Sequence, residues 1–179
     1  MSKESTPARY HSVHVVLHWL MALLVIMMLG VGKFVMPGVS PDDPQKVFML
    51  QFHAYTGMLL GILLVVRLIL RFTVKHPAPA DAGNAFLNLI GKATHFLLYL
   101  FIAGMALSGL GLFQMAQLSA VFSREIPYPS DFFQYLPRMG HGLTSSLLLA
   151  LVALHFGAAL YHQFIRKDNL LARMWFGKQ

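Results

Sequence analysis

The chain has 179 residues, of which 56% are hydrophobic and 12% charged, with a net charge of +7 and no cysteine. A soluble domain carries about a quarter charged residues, so this composition excludes an ordinary soluble domain and indicates a membrane protein. The lack of cysteine excludes disulfides, iron–sulfur clusters and thiolate metal ligands.

Four apolar segments are long enough to cross a bilayer, whose hydrocarbon core needs about 20 residues of helix. They run approximately over residues 15–36, 47–70, 86–113 and 143–165. The first is too long for a signal-peptide core and no A-x-A cleavage site follows it, so we interpret it as a retained span. The sequence therefore predicts one all-α domain over residues 1–179, an integral membrane four-helix bundle.

The connections between these segments are recognisable by their turn residues. "MPGVSPDD" and the long, aromatic connection 114–137 lie on the side away from the termini, and "KHPAPADAGN" lies on the same side as the termini. We expect the long connection to pack on the membrane surface. Gly57, one turn from His53, has two interpretations: close helix packing or room for a flat cofactor.

Basic residues set the orientation, because cytoplasmic loops carry an excess of Lys and Arg. Four spans put both termini on one side, and that side would hold ten basic residues. These are Lys3, Arg9, Arg67, Arg71, Lys75, Lys92, Arg166, Lys167, Arg173 and Lys178. The other side would hold four, which are Lys33, Lys46, Arg124 and Arg138. Both termini are therefore predicted to be cytoplasmic. The positive net charge is explained by this topology and by attraction to anionic lipid head groups, and it does not indicate nucleic-acid binding.

Histidines are the candidate functional residues. Ionisable side chains inside a bilayer are costly and usually functional, and neutral imidazole is the commonest metal ligand. Three histidines, His11, His14 and His76, lie at or outside the membrane boundary and are assigned no role. The other six lie in or at the edges of the spans: His18, His53, His95, His141, His155 and His162.

The depths of these histidines predict two pairs. His141 and His155 are 14 residues apart on the fourth span, which is about 21 Å and four helical turns, so both rings lie near one face. The first span places His18 at the inner level, and the second places His53 at the outer level. The predicted pairs are His18 with His155 and His53 with His141.

Paired imidazoles on facing helices favour haem over zinc, because zinc takes three or four clustered ligands whereas haem iron takes two axial ones. Two b-type haems at two depths would form an electron path across the membrane. His95, at a depth similar to that of His18, could replace His18 or His155 as a ligand. His162, seven residues after His155, is either a boundary histidine reaching water or a proton-handling group beside the inner haem.

Several segments resemble the bacterial cytochrome b561 family of small dihaem membrane proteins: "LHWLMALLVI", "VVRLILR", "GHGLTSSLLLALVALH" and "HQFIRKDNLLARM". The resemblance is closest to members of that family that oxidise superoxide with ubiquinone as acceptor. It implies an inner-membrane four-helix bundle with two b haems, and iron ligands at His18, His53, His141 and His155.

The resemblance also implies a function. Superoxide would give electrons at the periplasmic face, where the cations Lys33, Lys46, Arg124 and Arg138 are candidates for steering it. Ubiquinone would be reduced near the cytoplasmic side, with no protein partner required. The candidate quinone or propionate contacts are His95, His162, Arg71, Lys167 and Asp168. Positive-inside anchoring is the other interpretation of Arg71 and Lys167.

A second function fits the same ligand pattern. The pattern of histidines also resembles that of the cytochrome b subunits that anchor hydrogenases and formate dehydrogenases. Those subunits pass electrons between a partner protein and the quinone pool. The compact length favours the stand-alone oxidoreductase. A haem-free membrane scaffold is a third alternative, which a red preparation would exclude.

Overall fold

A computed structural model describes residues 9–176 of the chain, so Lys3 and Lys178 of the predicted cytoplasmic set lie outside the described residues. Within 9–176 there is no β-strand, and four helical segments are long and apolar enough to cross a membrane. They are Ser12–Gly38, Pro44–Thr73, Ala85–Met115 and Leu136–Arg166. The prediction of an all-α protein with four membrane spans is confirmed, and each span extends beyond the predicted limits.

The first span contains helix α1, Ser12–Gly30, which continues as a π-helical turn over Val31–Val35 and a 3-10 turn over Met36–Gly38. The Nδ1 atom of His11 caps α1 by accepting a hydrogen bond from the Val13 amide, at 3.3 Å. Buried apolar residues recur every three or four positions along α1 and form the main core with residues of the second and fourth spans. Those of α1 are Leu17, Met21, Val25, Met28 and Leu29.

Helices α2, Pro44–Thr73, and α3, Ala85–Met115, both begin at side-chain caps. The Asp43 carboxylate accepts a hydrogen bond from the Gln45 amide at 2.8 Å, and Pro44 occupies the first helical position. Asn84 accepts one from the Leu87 amide at 2.9 Å. The proline-rich connection between the two helices cannot continue either of them.

The fourth span contains helix α5, Leu136–Leu160, followed by a π-helical turn over Tyr161–Arg166 and a 3-10 turn over Leu170–Met174. The connection before it includes the short helix α4, Leu118–Phe122. That connection has a small core, in which Leu118 and Val121 pack against aromatic residues of the loop and against Leu50 of α2 and Phe113 of α3. The loop is therefore packed on the ends of two spans, and its contact with the membrane surface stays a prediction.

The helices of the bundle do not all pack equally closely against one another. α3 packs along α5 and α2, and α1 packs along α2, whereas the backbones of α1 and α2 make little contact with α5. Side chains must therefore bridge from α1 and α2 to α5. Many large apolar side chains on the outside of the spans are exposed, as expected for surfaces that face lipid.

The two ends of the described chain lie together at one end of the bundle. The Tyr10 amide donates to the Arg173 carbonyl at 3.0 Å, and the Trp19 indole donates to the Met174 carbonyl at 2.8 Å. Arg173 also donates to the Ala78 carbonyl in the connection between α2 and α3. This end is the one predicted to be cytoplasmic, and we call it the inner end.

Candidate functional site

The outer histidine pair joins α2 to α5. The ring centres of His53 and His141 are 6.2 Å apart, with 65° between the ring planes. Each metal–imidazole bond is about 2 Å, so two imidazoles on opposite sides of one iron have ring centres roughly 6 Å apart. The spacing of this pair fits one iron between the rings.

The inner histidine pair joins α1 to α5. The ring centres of His18 and His155 are 6.3 Å apart, with 74° between the ring planes. The structure thus brings together the histidines that the sequence pairs, at nearly equal separations and at two levels of α5. Their role as ligands stays a prediction.

Ser108 of α3 holds the outer His141 ring. Its Oγ atom lies 2.9 Å from Nδ1 of His141 and 2.6 Å from the Gly104 carbonyl oxygen. A hydroxyl has one proton, and a carbonyl can only accept it, so Ser108 donates to Gly104 and accepts from Nδ1–H of His141. This tautomer leaves a lone pair on Nε2 of His141, as a metal-binding histidine requires.

Gly32, in the π-helical turn of the first span, lies against the His53 ring. A Cβ atom at Gly32 would be 2.9 Å from Cε1 of His53, closer than real Cβ contacts. The Nδ1 atom of His53 is buried and has no hydrogen-bond partner. The nearest atom to a Cβ at Gly57, by contrast, would be Cε of Met28 at 3.8 Å, so Gly57 is not at a tight helix contact.

His95 of α3 is a third imidazole at the inner level. Its ring centre is 5.3 Å from that of His155, which is shorter than the separation expected across one iron. Its Nδ1 atom lies 2.7 Å from the Gly91 carbonyl, to which it donates, and the residue is exposed. These distances favour His18 over His95 as the partner of His155 and leave His95 beside the pair.

Arg67 of α2 places a fixed positive charge beside the inner pair. Its Nε donates to the Tyr99 hydroxyl at 3.1 Å, and its Nη2 lies 3.2 Å from Nδ1 of His18. A guanidinium only donates hydrogen bonds, so Nδ1 of His18 accepts here. An iron-bound His18 would change this contact, because a neutral ligating imidazole carries its proton on Nδ1.

The donor set suits haem better than a bare metal ion. Within residues 9–176, no group of three or more His, Asp or Glu side chains could hold a metal ion. Each level instead offers two imidazoles from helices whose backbones are apart, and His141 has the tautomer that a ligand needs. The residues present fit one bis-histidine haem at each level.

The candidates at the inner end are partly engaged with one another. Nδ1 of His162 lies 2.5 Å from Oδ2 of Asp168, and Nε of Arg166 lies 3.6 Å from the same oxygen. Desolvation would raise the pKa of the Asp168 carboxyl, but the hydrogen bond from His162 and the nearby positive charges outweigh it and lower that pKa. Arg71 and Lys167 are exposed at the same end.

The four cations predicted at the outer end differ in exposure and in whether their side chains are bound to other groups of the protein. Lys46 is buried and donates to the Met36 and Val39 carbonyls, at 2.5 and 2.8 Å, so it caps the end of the first span. Lys33 donates to Ser146 at 2.8 Å. Arg124 is exposed, whereas Arg138 is half-buried and its guanidinium lies 4.8 Å from the centre of the Phe133 ring.

His14 is a residue that the sequence analysis left without a role. It is only 5% exposed, and its Nε2 atom is buried without a hydrogen-bond partner. The signal in the sequence was its spacing of four residues from His18, which places both rings on the same face of α1.

Comparison with known proteins agrees with this arrangement. The family model described as prokaryotic cytochrome b561 matches residues 9–177. The chain belongs to the prokaryotic cytochrome b561 family. Such a cytochrome carries b-type haem and transfers electrons in a membrane, so the two histidine pairs are the candidate haem sites of this family member.

Curated relatives of this cytochrome b561 cover almost its whole length. "Cytochrome b561 homolog 2" of Escherichia coli (strain K12) is 28% identical, over 97% of this chain and 95% of the relative. "Cytochrome b561 homolog 1" of the same organism is 26% identical, over 93% and 96%. "Probable superoxide oxidase CybB" of Yersinia pestis is 25% identical, over 93% and 95%.

Proposed function

We propose that this cytochrome b561 is a superoxide:ubiquinone oxidoreductase of the bacterial inner membrane, with both termini cytoplasmic and two b-type haems. In the overall reaction two superoxide anions and one ubiquinone, with two protons, give two molecules of oxygen and one ubiquinol. The observation that carries the proposal is the pair of bis-histidine sites, with ring centres 6.2 and 6.3 Å apart at two depths. The similarity to a probable superoxide oxidase supports the choice of substrate.

Bound haem would supply one-electron redox chemistry at each level. The chain would hold the outer group through His53 and His141 and the inner one through His18 and His155. If each haem iron were held by both histidines of its pair, the sites would support electron transfer in preference to oxygen binding. Ser108 fixes the orientation and tautomer of His141, which keeps the outer site organised.

The outer surface would attract the superoxide anion through its free cations. Arg124 and Arg138 are the candidates for this steering, since Lys46 is bound to backbone carbonyls. Such steering is electrostatic, so the rate constant for superoxide should fall as ionic strength rises.

The inner end would receive ubiquinone from the bilayer. His95 is exposed and lies beside the inner pair, where a quinone arriving through lipid could meet it. Its Nδ1 proton is held by Gly91, which leaves Nε2 as an acceptor or, when protonated, a donor. His162 and Asp168 form a hydrogen-bonded pair at the same end, which is suited to handling protons taken from water.

The proposal is tested by turnover of the purified protein in detergent. Superoxide is generated enzymatically and formation of ubiquinol is followed in the presence of a soluble ubiquinone analogue. We expect one ubiquinol for two superoxide anions, with formation abolished by superoxide dismutase. The variants His141→Ala and His155→Ala should each lose this turnover, whereas His11→Gln, changed at an exposed position, should keep it.

The same experiment separates the alternative function. A preparation that contains both haems but does not oxidise superoxide would contradict the proposal. That result would favour a cytochrome b subunit that passes electrons between a partner hydrogenase or dehydrogenase and the quinone pool.

A further inference from the structure

Two buried nitrogen atoms near the inner pair lack a hydrogen-bond partner: Nε2 of His14 and Nη1 of Arg67. His14 is 5% exposed. Arg67 uses its other two nitrogens, donating from Nε to Tyr99 and approaching His18 with Nη2. Buried polar groups are almost always hydrogen-bonded. Nη1 of Arg67 can only donate, and Nε2 of His14 donates when it carries the ring proton, so a single acceptor would satisfy both atoms.

The two unpaired atoms belong to side chains that both neighbour His18. His14 lies one helical turn, about 6 Å, from His18 on the same face of α1. Arg67 reaches that face from α2, because its Nη2 atom lies 3.2 Å from Nδ1 of His18.

The missing acceptor should be an anion. In the described part of the chain, the side chains in recorded contact with the His14 and His18 rings are Tyr10, Trp19, Arg67 and His155, and none of them is a carboxylate. Within residues 9–176 no ion pair joins Arg67 to Asp or Glu. An unpaired guanidinium in a membrane span is costly, and a carboxylate both pairs with it and has a second oxygen for a neighbouring donor.

We propose that His14 and Arg67 form a carboxylate-binding site for a propionate group of the inner haem. This inference rests on the inner haem of the proposed function and deepens it. A b-type haem carries its negative charge on propionates at one edge of the ring. The site lies one turn from the proposed ligand His18, toward the inner end. His14 is then a positioning residue for the haem.

The test uses infrared difference spectroscopy of the intact dihaem protein as its haems are reduced and reoxidised. The haem is labelled with ¹³C at the propionate carboxyls, so that only propionate bands move on labelling. We compare wild type with His14→Leu, which removes the donor, and with the control His11→Gln. We expect a label-sensitive carboxylate band of the inner haem to shift in His14→Leu and not in His11→Gln.

A second measurement follows haem transfer to excess apomyoglobin. Outer partners of a metal site typically contribute 10–100-fold to affinity. We expect the inner haem of His14→Leu to be lost roughly 10-fold faster or more, with the outer haem unchanged. If His14→Leu does not accumulate, two amide variants replace it. The amide nitrogen of Gln occupies a position near Nε2, and that of Asn a position near Nδ1. His14→Gln should therefore retain the band and His14→Asn should shift it.

The results distinguish this inference from the proposed function. Unchanged label-sensitive bands and unchanged haem loss in His14→Leu would overturn the propionate site, even if superoxide is oxidised. A band that shifts in His14→Leu but does not respond to the label would also overturn it, and would assign the site to a lipid phosphate or another anion. A labelled band that shifts in a protein without superoxide turnover would support the site while contradicting the proposed substrate.

Discussion

The outer and inner histidine pairs have nearly the same spacing but different surroundings. The outer pair is in direct contact with neutral groups, Ser108 at His141 and Gly32 against His53, and the Arg138 guanidinium lies next to the neighbouring Gly142. The inner pair lies beside the guanidinium of Arg67 and a third imidazole, His95. A fixed positive charge stabilises the reduced, less positive form of a redox centre. In the proposed function Arg67 would therefore favour reduction of the inner haem, and its pairing with a propionate would weaken that effect.

The largest expected effect comes from removing one member of each pair. His141→Ala should lose only the outer haem and His155→Ala only the inner one, because each leaves a single protein ligand at its level. Haem per protein, measured from the pyridine haemochrome, should fall from two to one in both variants. His95→Ala is the matched control and should keep two. Loss of a haem in His95→Ala together with retention of both in His18→Ala would contradict the inner pairing.

A smaller expected effect tests the close contact of the outer pair. Gly32→Ala adds a methyl group 2.9 Å from Cε1 of His53, so that ring must move. We expect weaker binding of the outer haem and an altered outer-haem spectrum, with the inner haem unaffected. Gly30→Ala, in the same span with no atom within 4 Å of its added Cβ, is the control. Equal spectra for the two variants would show that the His53 ring is not confined by Gly32.

Ser108→Ala should have a more modest effect, because it removes a hydrogen bond to a ligand and leaves the ligand in place. We expect the outer-haem affinity to fall by about 10-fold and the outer midpoint potential to shift, since the serine sets the tautomer and basicity of His141. Potentiometric titration with haem transfer measures both. Ser145→Ala removes a hydroxyl that donates to Gly142 on the same helix, and should leave both haems unchanged.

The smallest expected effect concerns Asp168 at the inner end. Its pKa is lowered on folding, so its contribution to stability is present above the ordinary carboxyl pKa and is lost as pH falls through the lower folded value. Asp168→Asn should lower the melting temperature by about 1–3 °C at pH 7, because the group is partly exposed. This difference should shrink as the pH is lowered below about 4. A difference that persists unchanged at low pH would contradict an electrostatic origin.

Much of the fold was predictable from hydropathy alone. The four spans follow from runs of apolar residues, and their ends extend further because caps such as Asp43 and Asn84 lie outside the apolar cores. The pairing of histidines was predictable because helix rise converts the spacing of His141 and His155 into two depths. These features depend on local periodicity, which the sequence contains directly.

The surroundings of the pairs were not predictable, because they depend on contacts between distant parts of the chain. Ser108 lies 33 residues from His141, and Arg67 lies 49 residues from His18. Hydropathy placed His14 at the boundary, whereas α1 begins at Ser12 and buries it. Lys46 looked like a free outer cation, yet it is bound to the Met36 and Val39 carbonyls.

The π-helical turn Val31–Val35 sets the register of the first span near the outer pair. Such turns correspond to one extra residue in an α-helix and are frequent at functional sites. Deleting a single residue there would replace the wide turn by regular α-helix and change the direction in which the residues of the turn face. Gly32 would then no longer face His53, nor Lys33 face Ser146, although the hydrophobicity of the span would hardly change. A one-residue deletion could thus disable the outer half of the protein while leaving its insertion into the membrane intact.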